Sequence, residues 1–210
     1  MKITYLAHAS FLIETESRVK IITDPYDSSV GYTVFELSAD VVLTSHKHFD
    51  HAYTKSLKGD YVLVDKEGEF NVKGVKIKGI KTFHDKEKGQ KRGENIVFVI
   101  EDKFSVAHLG DLGHELAETE LEKMGRVDIL LIPVGGVYTI NAKEALNVAK
   151  AINPKIIIPM HYKTEKLKFD LGKVEEFTKH FEDVEVLRTS EIEINSLPEK
   201  QKVLVLKYKG

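Results

Sequence analysis

The chain has 210 residues, a formal net charge of −2, nine histidines and no cysteine. That length suits one domain with a sizeable core, and 1–210 is expected to be that single domain. A near-neutral balance removes the global attraction to nucleic acid or anionic membrane that a basic chain would have, and without cysteine there are neither disulfides nor thiolate metal ligands. In chain order, residues 2–6, 11–14, 19–23, 41–44, 61–65, 75–83, 96–101 and 104–108 are expected to be strands, from their alternation and β-branched content. Gly68, Gly74 and Asp102-Lys103 punctuate several of them into hairpins. The second half alternates: helix 115–124, strand 129–132, helix 141–152, strand 155–159, helix 172–180, then strands 184–187 and 203–207. Asn141 with Glu144 three residues later has the pattern of a capping box. Hairpin-rich strands followed by alternating helices fit two packed sheets with helices outside. No apolar run approaches the roughly 20 residues of a membrane span, and the start of the chain lacks the zones of a signal peptide, so a cytoplasmic location is expected.

Chemistry concentrates in Thr44-Ser45-His46-Lys47-His48-Phe49-Asp50-His51, directly after the apolar run Val41-Val42-Leu43. Histidine is the commonest metal ligand, and so many ligand-type side chains crowded together are awkward without a cation. In an extended loop His46, His48 and Asp50 share one side while His51 turns the other way, so one loop can serve two neighbouring metals. The helical His-Glu-x-x-His pattern of metalloproteases is absent. Three further candidates stand where apolar strands end: His84, Asp111 and His161. Residues at strand ends are the usual place for sites in layered α/β folds.

This order of residues resembles the metallo-β-lactamase superfamily from Lys2 to about Tyr162. Leu6-Ala7-His8-Ala9-Ser10, Thr23-Asp24-Pro25, His108-Leu109-Gly110-Asp111, Pro133-Val134-Gly135-Gly136 and Pro159-Met160-His161-Tyr162 are similar to the branch of small hydrolases that includes ascorbate-6-phosphate lactonase. The resemblance implies an α/β fold, the αββα sandwich, with two mixed β-sheets, helices on the outer faces and the site at one edge between the sheets. It implies a metal-dependent hydrolase with two divalent ions. His46, His48 and His84 would bind one, Asp50, His51 and His161 the other, and Asp111 would bridge them. Ligation by N and O only, with three histidines on one ion, suits Zn²⁺ first, with Mn²⁺ or Fe as alternatives. A metal-bound water with its pKa lowered to about 7 supplies a hydroxide nucleophile. Asp50 would orient it; His8 has three open roles, as proton donor, substrate contact or structural histidine. No nucleophile elbow is present.

Asp24, Asp85, His108 and His114 are candidates for orienting these ligands. The alternatives are a turn before Pro25 for Asp24, an exposed loop for Asp85 and a helix cap for Asp111. His84, before a charged loop, is expected at the rim of the site, and His180 reads as an ordinary helix residue. Substrate contacts are expected from Tyr138 in the Gly135-Gly136 loop, whose backbone N–H groups precede a helix, and from Tyr162 and Lys163 beyond His161. Loop 85–95 is either a solvated hairpin tip or a lid contributing Lys91 or Arg92. The expected substrate is a small anionic ester, phosphodiester or lactone. A nuclease of the same fold is the alternative, although the chain lacks a basic stripe; a non-catalytic metal- or ligand-binding protein is the other. The expected partners are a small-molecule substrate, with no nucleic acid and no membrane, and a homo-oligomer is left open.

Overall fold

The computed structural model describes residues 1–210. Short β-branched runs broken by turn residues fold the first half into β1 (Lys2–Ala7), β2 (Ser10–Glu14), β3 (Lys20–Thr23), β4 (Leu37–Ser38), β5 (Val41–Leu43), β6 (Leu57–Lys58), β7 (Val62–Val64), β8 (Gly68–Val72), β9 (Val75–Phe83), β10 (Glu94–Glu101) and β11 (Ser105–His108). The second half alternates α1 (Glu118–Met124), β12 (Ile129–Pro133), α2 (Ala142–Ile152), β13 (Ile156–Met160) and α3 (Glu175–Thr178). It closes with β14 (Val184–Val186), β15 (Glu191–Glu193) and β16 (Lys202–Val205).

Two mixed sheets result. The first has the order β15-β1-β2-β3-β5-β7 and the second β14-β16-β13-β12-β11-β10-β9-β8, with β4 and β6 paired separately. Period-two alternation tells each strand of the first sheet which way to face. Ile21, Val41 and Leu43 join the main core, whereas Ile22 and Val42 point out to a small cluster with Ala39. β12 and β13 are buried at every position, as central parallel strands covered on both faces must be.

The two longer α-helices lie on the second sheet. α1 packs on β9 and α2 on β12. Outside the first sheet, Leu37, Leu57 and Tyr61 cover Ile22 and Val42 in place of a helix. The capping box forms as the sequence suggests: Asn141 Oδ1 accepts from Lys143 and Glu144 N–H, and Glu144 Oε2 accepts from Asn141 N–H. The expected helix 172–180 shrinks to α3 because Gly172 is taken elsewhere, donating to Gly135 O and accepting from Lys163 N–H. β4, β6, β8 and β15 have no expected counterpart: β4, β6 and β15 are only two or three residues long, and β8 is mostly exposed, so they carry little signal to read.

Strand direction gathers the chemistry. β1 and β3 are each antiparallel to β2, and β5 is parallel to β3, so His8, Asp24 and the loop after Leu43 all follow strands that end at one edge. In the second sheet β9 and β11 flank β10 antiparallel, and β12 and β13 continue parallel to β11. His84, Asp111 and His161 therefore leave at a common edge too. The two edges meet where His161 N–H donates to His8 O at 2.9 Å.

Candidate metal centre

The loop after β5 is not extended. The N–H groups of His51 and Ala52 both donate to His48 O, at 3.0 Å each, so the chain coils through Phe49 and Asp50. The expected division of sides therefore changes. Asp50 and His51 point together to one group, with His8 and His161, while His46 and His48 join His84. Within each group the ligand atoms lie within 4.8 Å of one another.

Asp24, fully buried at the end of β3, holds this loop. Its Oδ1 accepts Ser45 N–H at 2.7 Å; its Oδ2 accepts the Ser45 hydroxyl at 2.7 Å and His51 Nδ1 at 2.9 Å. A carboxylate only accepts, so the hydrogen sits on His51 Nδ1 and Nε2 is free to face the centre. With its own hydrogen committed to Asp24, Ser45 Oγ accepts from His46 Nδ1 at 2.9 Å, which frees His46 Nε2 in the same way.

Asp111 enters from the second sheet. Asn95 Oδ1 accepts its N–H at 2.9 Å, and Asn95 Nδ2 is fixed by Thr82 Oγ1 and Leu109 O. Gly110 allows the approach: at φ +56°, a side chain there would place its Cβ 2.4 Å from Asn95 Oδ1 and 2.5 Å from Ser45 Cβ. Asp111 Oδ2 lies 3.2 Å from His84 Nε2 and 4.0 Å from His46 Nε2. Its Oδ1 lies 3.3 Å from His51 Nε2 and 3.4 Å from His161 Nε2. His8 Nε2 is 3.2 Å from Asp50 Oδ2. His8 and His161 both hold left-handed backbone, at φ +57° and +52°, which costs a non-glycine residue about 1–3 kcal/mol and persists where surrounding structure demands it.

Charge shows what the cluster suits. Burial lowers the pKa of His46 and of His161 to about 3, and it lowers His8 and His48 as well. Burial alone would raise Asp111, yet the facing His161 and His51 imidazoles hold it well below the usual carboxylate range. Burial likewise opposes charge on His51, and the carboxylates of Asp111 and Asp24 outweigh it, lifting His51 well above the ordinary histidine value. Buried His46 Nε2, His51 Nε2 and Asp111 Oδ1 have no hydrogen-bond partner. Such orphans are costly unless something else satisfies them. Converging imidazoles and carboxylates are the donor set a divalent cation needs, and such an ion would displace the proton that Asp111 and Asp24 otherwise hold on His51.

An open cleft of about 290 Å³ lies over the cluster, lined by His48, Phe49, Asp50, His84, Arg92, Asp111, Tyr138, His161 and Phe169. His84 is not at the rim as expected: it is 2 % exposed, and it is His48 on the coiled loop that is exposed. Tyr138 lines the cleft, but Tyr162 and Lys163 do not. Tyr162 is buried in the main core, and its hydroxyl donates to Leu206 O at 3.5 Å. The Lys163 ammonium is spent on the backbone, donating to Phe169 O at 2.7 Å and Leu167 O at 3.3 Å. Asp85, rather than standing in an exposed loop, is buried and accepts four backbone N–H groups of its own loop.

His108 ties the sheets together instead of touching a ligand, with Nε2 2.7 Å from Ala9 O. His114 acts one residue from His84, its Nε2 accepting Phe83 N–H at 3.1 Å. His180 lies just beyond α3, its N–H donating to Phe177 O. Ser45, Asn95 and Phe169 are site residues that no sequence motif singles out. Ser45 could have been suspected from its place inside the histidine run. Asn95 and Phe169 carry no local signal, since their roles arise from contacts with distant elements.

The beta-lactamase superfamily domain matches residues 2–161 of the chain. A UPF0173 protein of Pyrococcus furiosus is 31% identical over 209 residues, which cover 87% of this chain and 91% of that protein. A UPF0173 metal-dependent hydrolase of Carboxydothermus hydrogenoformans is 30% identical over 200 residues, covering 78% of this chain and 85% of that one. Among solved structures, a candidate Zn-dependent hydrolase of the metallo-beta-lactamase superfamily from Thermotoga maritima superposes with a TM-score of 0.86 at 44% identity, covering 99% of both chains.

Proposed function

The chain belongs to the beta-lactamase superfamily and is a metal-dependent hydrolase; within that class we propose a two-metal enzyme, loaded with zinc first and with manganese or iron as alternatives, that cleaves a small anionic ester, phosphodiester or lactone. One observation carries this reading: the two oxygens of Asp111 face different histidines. Oδ2 is turned to His84 and His46, and Oδ1 to His51 and His161. His46, His48 and His84 would hold one ion and Asp50, His51 and His161 the other, with Asp111 between them. A pair of divalent ions there would supply water with its pKa lowered to about 7 and a Lewis acid for the scissile oxygen.

The chain's own groups do the rest. Asp50 lines the cleft and has its Oδ2 engaged by His8, which leaves Oδ1 to accept and orient a proton of the attacking water. His8 stands behind it, hydrogen-bonded to Asp50 Oδ2 and fully buried, and acts through Asp50 as a positioning residue. Phe169 meets the His8 ring edge-on at 5.8 Å and lines the cleft beside Asp50.

Protein purified without added metal is expected to hold up to two ions per chain by elemental analysis. Chelation should abolish hydrolysis in a screen of phosphodiesters, lactones and esters, and Zn²⁺ or Mn²⁺ should restore it. Asp50→Ala should lose at least ~10²-fold in kcat, the scale of a positioned catalytic group. A chain that binds no metal at micromolar concentration overturns the reading.

A further inference from the structure

Of the cationic candidates the sequence offers, Arg92 and not Lys163 faces the cleft. With Lys163 committed to backbone carbonyls, the cation that faces the cleft is Arg92. Loop 84–93, which connects β9 to β10, carries Lys86, Lys88, Lys91 and Arg92. Lys86 pairs with Glu144 at the start of α2, and Lys91 pairs with Glu87 at 2.7 Å. Arg92 has no carboxylate partner, and its guanidinium lies over the Tyr138 ring, 4.6 Å from the centroid. Stacking uses the face of a guanidinium and leaves the N–H groups on its edge free for an oxyanion.

This placement is built rather than incidental. The Asp85 carboxylate accepts the backbone N–H groups of Glu87, Gly89, Lys91 and Arg92 at 2.7–3.0 Å. His84 N–H donates to Gly93 O at 3.1 Å. The loop thus closes on the residue that enters the metal cluster, and Arg92 is held at a set position relative to His84. Tyr138 is held from the other side by a strained turn. The preceding Val137 has φ +60°, a genuine outlier for a β-branched residue, and such strain concentrates at functional sites.

The wall continues away from the charge. Tyr138 meets Phe169 edge-on at 6.2 Å, and Phe169 meets Phe49 edge-on at 6.4 Å. Phe49 is 54% exposed and, contiguous with Phe169 and Tyr138 on the cleft wall, offers an apolar face to what the cleft takes. We propose that Arg92, laid on Tyr138, takes the anionic group of the substrate, while Phe49 and Phe169 flank an apolar or aromatic body. Arg92 is then a specificity-determining residue for an aryl- or alkyl-substituted anion, a phosphoryl or carboxylate compound. This assignment rests on the hydrolase reading above and names its substrate class.

The test is calorimetric binding of phenylphosphonate and of inorganic phosphate to zinc-treated protein, with metal content measured on the same samples. Arg92→Gln should weaken phenylphosphonate roughly 10- to 100-fold, the scale of a lost hydrogen bond to a charged group, with metal content unchanged. Phe49→Ser should weaken phenylphosphonate several-fold, on the order of one lost aromatic contact, and leave inorganic phosphate as it was. Wild-type affinity in Arg92→Gln, or no binding of phenylphosphonate by the wild type at millimolar concentration, overturns the assignment. Equal losses on both probes in Phe49→Ser overturn the apolar half. Wild-type protein without metal would instead refute the two-metal reading, and the comparison of wild type with Arg92→Gln would still decide the role of Arg92.

Discussion

Asp24→Asn tests the hydrogen-bond relay that would present ligand atoms to the two proposed metals. The carboxylate of Asp24 accepts from Ser45 N–H, from the Ser45 hydroxyl and from His51 Nδ1, all within 2.9 Å and out of contact with water. An amide of the same shape can accept at only one end. The Ser45 backbone N–H cannot turn away, whereas a hydroxyl can rotate and an imidazole can move its hydrogen. The amide oxygen is therefore expected to stay with Ser45 N–H, placing the NH₂ where Oδ2 was. His51 must then carry its hydrogen on Nε2, the atom 3.3 Å from Asp111 Oδ1. The Ser45 hydroxyl must donate to His46 Nδ1, which moves the His46 hydrogen to Nε2 as well. Both ligand lone pairs are lost without emptying a hydrogen bond, so the variant should fold. Removing such a partner typically costs 10- to 100-fold in metal affinity, or about 1.4–2.7 kcal/mol. Zinc titration against a competing chelator should show that loss at both sites in Asp24→Asn. In Ser45→Ala, where Asp24 still holds His51, it should appear only at the site containing His46. Wild-type zinc affinity at both sites of Asp24→Asn refutes the relay.

His84→Ala should give a one-metal protein by elemental analysis, because the group of His46, His48 and His84 keeps two of its three histidines; two retained ions with a raised KM would make His84 a substrate contact instead. Lys163→Met should lower stability to urea by about 0.5–1.5 kcal/mol per hydrogen bond lost to Leu167 O and Phe169 O. It should leave the preference for anionic over neutral esters unchanged, and a selective loss on anions would return Lys163 to the substrate site. Asn141→Ala removes the N-cap of α2 and should cost about 1 kcal/mol in the same assay; an unchanged midpoint would mean the cap contributes nothing.

Local chemistry was readable from the residues alone. The apolar runs ending at Phe83, His108 and Met160 are strands, and the histidine-rich stretch after Leu43 does lie where strand ends converge. The Asn141–Glu144 cap needed only its own four residues. These features depend on neighbours within a turn or a strand, so periodicity and residue type suffice. Direction at the site did not follow from spacing. The coil at His48–Ala52, set by two hydrogen bonds to one carbonyl, turned Asp50 and His51 together where an extended loop would have parted them. Tyr162 and Lys163 sit beside His161 in sequence yet point into the core and to a nearby loop, because His161 is in left-handed backbone that redirects the chain. Arg92 reaches the cleft only because Asp85 folds its loop back and Tyr138 offers a face from beyond β12. Orientation at a turn is decided by which distant donors, acceptors and surfaces meet it, and that meeting exists only once the two sheets have packed.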